Sequence, residues 1–172
     1  MSALGLLTHY GLTRVAGGGP GPGPAERILQ ALGGTQSPNT EASQVGYTLT
    51  PNTDLTLTAL RLYLGSNSNG EVIRVWRVSD TTLLGTVTVN ALEDTWVEEE
   101  LTTPINLDQG VSYVIATRSG NPRRWYSAAR TAQAWSALIT PGAGRLGAGT
   151  GFPTTTNSSN VWGFVDGLIA PR

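Results

Sequence analysis

The stretch Leu55-Thr56-Leu57-Thr58-Ala59-Leu60-Arg61-Leu62-Tyr63-Leu64 decides the fold. Its leucines alternate with polar residues at a period of two, the spacing that sends successive side chains to opposite faces of a strand. Leu55 and Leu57 fall on one parity and Leu60, Leu62 and Leu64 on the other, so an irregularity is expected near Ala59, where the phase slips. This is the signature of a half-buried strand.

Downstream, Gly65-Ser66-Asn67-Ser68-Asn69-Gly70 is a turn cluster, and residues 72–78 read as a second strand in which Ile73 and Val75 alternate with Val72, Arg74 and Trp76. Ser79-Asp80-Thr81-Thr82 turns the chain into a third strand, residues 83–89, paired as a hairpin. Residues 96–101 and 105–107 read as short strands around Pro104. Asp108-Gln109-Gly110 then leads into residues 111–117, with Val111, Tyr113 and Ile115 on one face, and residues 161–169 form the last strand. Short strands divided by turn clusters every 8–12 residues predict an all-β fold, an antiparallel β-sandwich or jelly roll. Between Asn121 and Asn160 the periodicity fails; so long an irregular stretch is functional or hides short strands.

Upstream, residues 25–32 predict one short helix, with Pro24 at its first turn, Gly33-Gly34 after its end, and Ile28, Leu29 and Leu32 on one face. Residues 35–43 read as polar loop. Gly17-Gly18-Gly19-Pro20-Gly21-Pro22-Gly23-Pro24 is a linker of mixed stiffness, reaching at most ~25 Å. It separates residues 1–16, an arm in which Leu4, Leu6, Leu7, Tyr10, Leu12 and Val15 offer apolar surface to a partner. Three parts result: arm and linker over residues 1–24, helix and connector over 25–44, and the sandwich over 45–172.

Composition narrows the function. The 172 residues carry 12 acids against 11 basic residues, all Arg, for a net charge of −1, so no global positive field gathers phosphates and nucleic acid is not expected as a partner. No Cys is present, which removes disulfides, thiolate metal sites and Cys nucleophiles. The one His, His9, lies in the arm, where no triad can use it. No apolar run approaches the ~20 residues of a membrane span. His9, Tyr10 and Arg14 interrupt the apolar start, and no basic region precedes it, so no secretory signal is expected. Neither catalysis nor a cofactor or metal is expected.

A further series of residues is shared with a known family. Val45-Gly46-Tyr47-Thr48-Leu49 and residues 57–65 come first, followed by Val75-Trp76-Arg77-Val78 and Thr82-Leu83-Leu84-Gly85-Thr86. Trp96, Thr103-Pro104-Ile105 and Gly110-Val111-Ser112-Tyr113-Val114 continue it, and Gly151-Phe152-Pro153-Thr154-Thr155 and residues 159–166 complete it. In this order they resemble an uncharacterised bacterial domain family of extracellular β-sandwich modules, found on carbohydrate-active and cell-surface proteins. The resemblance covers roughly residues 42–170, and it implies a sandwich without known catalytic residues. The layout of a small anchor joined to a β domain is also similar to bacteriophage decoration and fibre proteins.

Two functions of different class follow. The first is a bacteriophage virion structural protein, a head decoration, head fibre or tail component, assembled in the host cytoplasm, oligomeric, and joined to capsid or tail proteins through its arm. The alternative is a non-catalytic carbohydrate-binding module, extracellular or at a cell surface, that contacts host glycans. Its candidate residues are Arg123, Arg124, Trp125, Tyr126 and Trp135, because flat aromatic faces stack on sugar rings and Arg forks bind hydroxyls and carboxylates. Trp76, Trp96 and Trp162 sit in strand patterns and are expected as core or inter-subunit aromatics. Glu98 and Glu100 share a strand face and are expected in solvent or against an Arg. Asn67, Asn69 and Glu71 are expected to form a turn rather than a calcium loop.

Overall fold

The computed structural model describes residues 23–31, 35–38, 43–119 and 124–172. The expected arm and nearly all of the linker lie outside these residues. In chain order the strands are β1 (Glu26–Arg27), β2 (Leu29–Ala31), β3 (Thr35–Pro38), β4 (Ser43–Pro51), β5 (Leu55–Leu64), β6 (Ser68–Arg77), β7 (Leu83–Ala91) and β8 (Thr95–Leu107). They continue as β9 (Tyr113–Ser119), β10 (Arg124–Ala129), β11 (Ala134–Trp135), β12 (Ile139–Ala148), β13 (Thr155–Asn157), β14 (Asn160–Trp162) and β15 (Phe164–Pro171).

Two sheets make an antiparallel β-sandwich. One has the order β1-β15-β5-β8, the other β13-β12-β4-β9-β6-β7. Two smaller ribbons, β14-β10-β3 and β11-β2, complete the fold. Leu55, Leu57, Leu60, Leu62 and Leu64 of β5 meet Val45, Tyr47, Leu49, Ile73, Val75 and Ile115 of the larger sheet in one core, all essentially without exposure. Burying each leucine contributes roughly 1.5–3 kcal/mol.

The phase slip in β5 is a bulge. Its register with β8 shifts between Leu57 and Ala59, and its register with β15 shifts at Leu168 and Ile169. One inserted residue lets Leu57 and Leu60 both face the core despite their opposite parity. The expected turns hold as well: Gly70 and Gly110 take φ of +71° and +75°, a region open to Gly without strain.

Several expectations need correction. Residues 25–32 are not a helix among the described residues. Glu26 and Arg27 pair with Ile169 and Leu168 of β15, and Leu29–Ala31 pairs with β11. Two helical turns cannot stand on their own bonds, whereas the free edge of β15 offers partners: the Ile28 N–H donates to the Gly167 carbonyl at 3.0 Å. Ile28 and Leu29 are buried at this bend. Thr35–Pro38 is a strand rather than loop; it lies at the edge of its ribbon, where Pro38 is tolerated. The strands expected on either side of Pro104 are one, β8, whose edge position makes the missing N–H harmless. The last strand breaks at Gly163, φ +68°, into β14 and β15. The aperiodic stretch contains β10 to β13 and the 3-10 turn Arg130–Ala132.

The entering segment is held by one buried carboxylate. Asp166 on β15 accepts from the Leu29 N–H at 2.9 Å, the Gly167 N–H at 2.7 Å and the Arg61 Nε at 2.7 Å. Arg61 Nη2 lies 2.6 Å from the same carboxylate, and its guanidinium stands 4.1 Å from the centre of the Trp96 ring. Burial pushes the Asp166 carboxyl above the ordinary aspartate range, against the opposing pull of the Leu29 N–H and Arg61. Removing it strands the guanidinium and two N–H groups, so Asp166→Ala should lower stability at neutral pH by about 3–5 kcal/mol in urea unfolding. The folded protein also holds this proton to higher pH than the unfolded chain. The contribution of Asp166 therefore grows as pH falls, and the gap to the variant should widen toward the unfolded aspartate value of about 3.9. A gap that narrows on acidification would contradict this assignment.

Candidate functional site

The same segment builds a pocket. Leu29 of β2 pairs with Trp135 of β11, and the Ser136 N–H donates to the Ile28 carbonyl at 2.9 Å. The Ser136 hydroxyl donates to the Glu26 carboxylate, so both sides of the bend are tied to the ribbon that carries Trp135. An open pocket of about 530 Å³ lies here, lined by Arg130, Thr131, Gln133, Trp135, Thr140 and Pro141.

Its indole is fixed twice. Trp135 Nε1–H donates to the Arg130 carbonyl at 3.0 Å, and its ring meets Tyr47 edge-on with centroids 5.1 Å apart. Among the described residues the Arg130 side chain donates to the Pro141 carbonyl, at 3.5 Å, and no carboxylate pairs with it. Thr140 donates its hydroxyl to Asn52 Oδ1 at 2.8 Å, a bond that holds one rim of the pocket to the loop after β4. A rigid aromatic surface beside a guanidinium with spare donors can stack on a ring and bind its hydroxyls or a carboxylate.

Of the candidates read from the sequence, Trp135 lies in this pocket. Arg124, Trp125 and Tyr126 open β10, opposite Pro38, Ser37 and Gln36 of β3, and β10 leads directly into the Arg130–Ala132 turn. Arg123 and the arm residues Leu4, Leu6, Leu7, Tyr10, Leu12 and Val15 lie outside the described residues. Arg130, Thr131, Gln133 and Thr140 were not singled out by pattern. They sit in the aperiodic stretch, and the only local signal is an Arg five residues before a Trp.

The remaining aromatic and acidic candidates are structural. Trp76 is buried with Val114 and Ala116, while Trp96 and Trp162 pack on the main core. Glu98 pairs with Arg27. Asn67 Oδ1 accepts the Glu93 N–H at 2.8 Å and the Glu71 carboxylate accepts the Ser68 hydroxyl, so these oxygens are already engaged within the protein. Among the described residues no group of side chains has the composition of a metal site.

A family model described as Domain of unknown function (DUF4082) matches residues 31–163. No curated protein matches the chain.

Beneath Trp135, the Tyr47 hydroxyl is buried with no hydrogen-bond partner among the described residues. Burial, then the nearby Asp166 charge, pushes its pKa well above the usual tyrosine value. An unpaired buried hydroxyl costs about 1–3 kcal/mol. Tyr47→Phe keeps the ring against Trp135 and removes that cost, so thermal or urea unfolding should show a variant at least as stable as the parent. A loss of more than about 1 kcal/mol would mean that the hydroxyl has a partner in solution.

Proposed function

We propose that this chain, which belongs to the family described as Domain of unknown function (DUF4082), is a structural component of a bacteriophage virion: a head decoration, head fibre or tail protein. Residues 1–16 bind the larger particle, the Gly-Pro run supplies slack, and the sandwich faces outward as one member of an oligomer.

One observation carries this proposal. The chain arriving from the arm is stitched into the sandwich by β1 on β15, by the Leu29 N–H on Asp166 and by Ser136 on Glu26. Gly23 lies against Pro171, so closely that a Cβ there would stand 3.0 Å from the proline ring. A tether sewn into the sheet carries load, which a loose tail does not need. It enters at the end of the sandwich where β15 finishes, far along β5 from the Gly65–Gly70 turn. The low charged fraction, 13%, suits a surface shared with neighbours, because interface cores avoid charge.

A second reading, a glycan-binding module, draws its support from the Trp135 pocket and from the sandwich modules that the chain resembles. The two roles are compatible, since a displayed domain can hold a particle near a coated host.

Deleting residues 1–16 separates tether from sandwich. The truncated protein should keep the unfolding midpoint of the parent and disappear from purified particles; full occupancy of the particle by the truncated protein would overturn the virion proposal. For the second reading, a glycan array is probed with the parent and with Trp135→Ala, checked for fold by circular dichroism. Millimolar binding that the variant loses is expected, and the absence of any binding by the parent overturns it.

A further inference from the structure

The six-stranded sheet ends on β7, and among the described residues no strand pairs with its second edge. β7 is nine residues long, Leu83-Leu84-Gly85-Thr86-Val87-Thr88-Val89-Asn90-Ala91, with no charge and no proline. Every second residue of such a rim aims its N–H and C=O away from the sheet, ready to pair with another strand. The other rims carry the devices that prevent this. β1 and β13 are two and three residues long, and β8 holds Glu98, Glu99, Glu100 and Pro104. β7 has one bulge, at Leu84, where its register slips against Val75 and Trp76. From Gly85 to Val89 its five rungs run unbroken.

The apolar surface along this rim is a second and independent sign. Leu83 and Leu92 are the large aliphatic side chains that stand exposed among the described residues, at 48% and 56%. Leu83 opens β7, and Leu92 follows its last residue. Thr88 stands opposite Val72 and Leu83 opposite Trp76, so Leu83 lies four rungs from Thr88, the bulge absorbing the fifth residue. Leu92 lies four residues from Thr88 on the other side. Leu83, Thr86, Thr88 and Asn90 share the face away from the core, and Leu92 continues the row by one step. Trp76, opposite Leu83, belongs to the outer cluster with Val114 and Ala116, whereas Val87 and Val89 belong to the main core.

This row is complementary to itself. A two-fold axis through Thr88, with the strands antiparallel, sets each Leu83 against Leu92 of the second copy. Thr86 then meets the second copy's Asn90, and Thr88 meets its own counterpart. No charge is opposed or buried at any rung, and both exposed leucines are covered at once. We propose that β7 pairs edge to edge with β7 of a second copy, joining the two six-stranded sheets into one across a two-fold axis at Thr88. A contact of this kind is isologous, so it closes as a dimer and does not propagate into a fibre. One strand edge and two leucine pairs make a small interface, of the size that associates weakly and reversibly. The inference goes beyond the virion proposal, which calls for an oligomer without naming a contact, and its test needs no particle.

The full-length protein is followed by sedimentation velocity from about 1 μM to about 1 mM, the range in which so small an interface should show a monomer–dimer equilibrium. Thr88→Lys puts two like charges face to face at the axis and should weaken the dimer at least about tenfold. Its unfolding midpoint, measured at dilution, should match the parent, because Thr88 is exposed. Mixing Thr88→Lys with Thr88→Glu should restore association, since opposite charges then meet. Thr156→Lys, on the rim at the other end of the same sheet, should change nothing. The chain has no Cys, so Thr88→Cys carries a single thiol. Residues directly opposite across paired strands bring their Cβ atoms to about 4.5–5.5 Å, and oxidation by copper–phenanthroline should link Thr88→Cys into a covalent dimer while Thr156→Cys stays monomeric. A parent that remains monomeric over the whole range overturns the proposal. So does a dimer that Thr88→Lys does not weaken, that the charge-paired mixture does not restore, or that Thr88→Cys does not link; each assigns the contact to another surface. The parent's concentration dependence and the thiol cross-link decide the matter even where a charged variant fails to fold.

Discussion

A buried carboxylate must be paired, and the position of Asp166 in β15 makes that requirement govern how residues 26–31 join the fold. Its partners are Arg61 across the sheet, the adjacent Gly167 N–H and the Leu29 N–H. Meeting the last of these draws residues 26–31 onto the sandwich as two short strands separated by a bend. Leu29 then pairs with Trp135, and the pocket at Trp135 exists because that pairing holds. Local helix propensity over eight residues is worth far less than a charge-assisted hydrogen bond together with two buried aliphatic side chains. Tertiary demand overrides local preference here for a reason that the local sequence does not contain.

The main sheets were legible wherever apolar residues alternate with polar ones. The β5 leucines reported their own bulge, because a phase slip in a period-two pattern has few other causes. The turns at Gly70 and Gly110 were legible from composition and take the positive φ that Gly permits. What stayed hidden had no alternation to read. β12, Ile139-Thr140-Pro141-Gly142-Ala143-Gly144-Arg145-Leu146-Gly147-Ala148, is a strand built from small residues, several chosen by close approach rather than burial. A Cβ at Gly144 would stand 2.2 Å from the Asn160 carbonyl, so the neighbouring β14 demands Gly there. Trp135 was visible as an aromatic in an irregular stretch, but its partners Arg130 and Thr140 come together only through the turn and β12.

Arg145, Arg118 and Arg74 illustrate a second limit. They lie 27 and 44 residues apart in sequence, and nothing in their local patterns relates them. Register alone puts them on one face of three strands, with Gly46 and Ala116 between two of them. The net charge of −1 conceals how the charges are distributed: Arg74, Arg77, Arg118 and Arg145 lie on the larger sheet with the single acid Glu71, while Glu98, Glu99 and Glu100 line β8 of the smaller sheet, which also holds Arg27 and Arg61. A nearly neutral composition therefore excludes a global field but not a local one.

The proposed role joins these parts into one physical picture: a sewn-in tether, a sandwich body, and a pocket at Trp135 held in place by the same entering segment. The most direct measurement is the composition and image of the native particle. Purified virions should contain this chain in stoichiometric amounts, with sandwich-sized density projecting from the shell and joined to it by a thin connection. Particles that lack the chain, or that bury the sandwich inside the shell, would contradict the proposal.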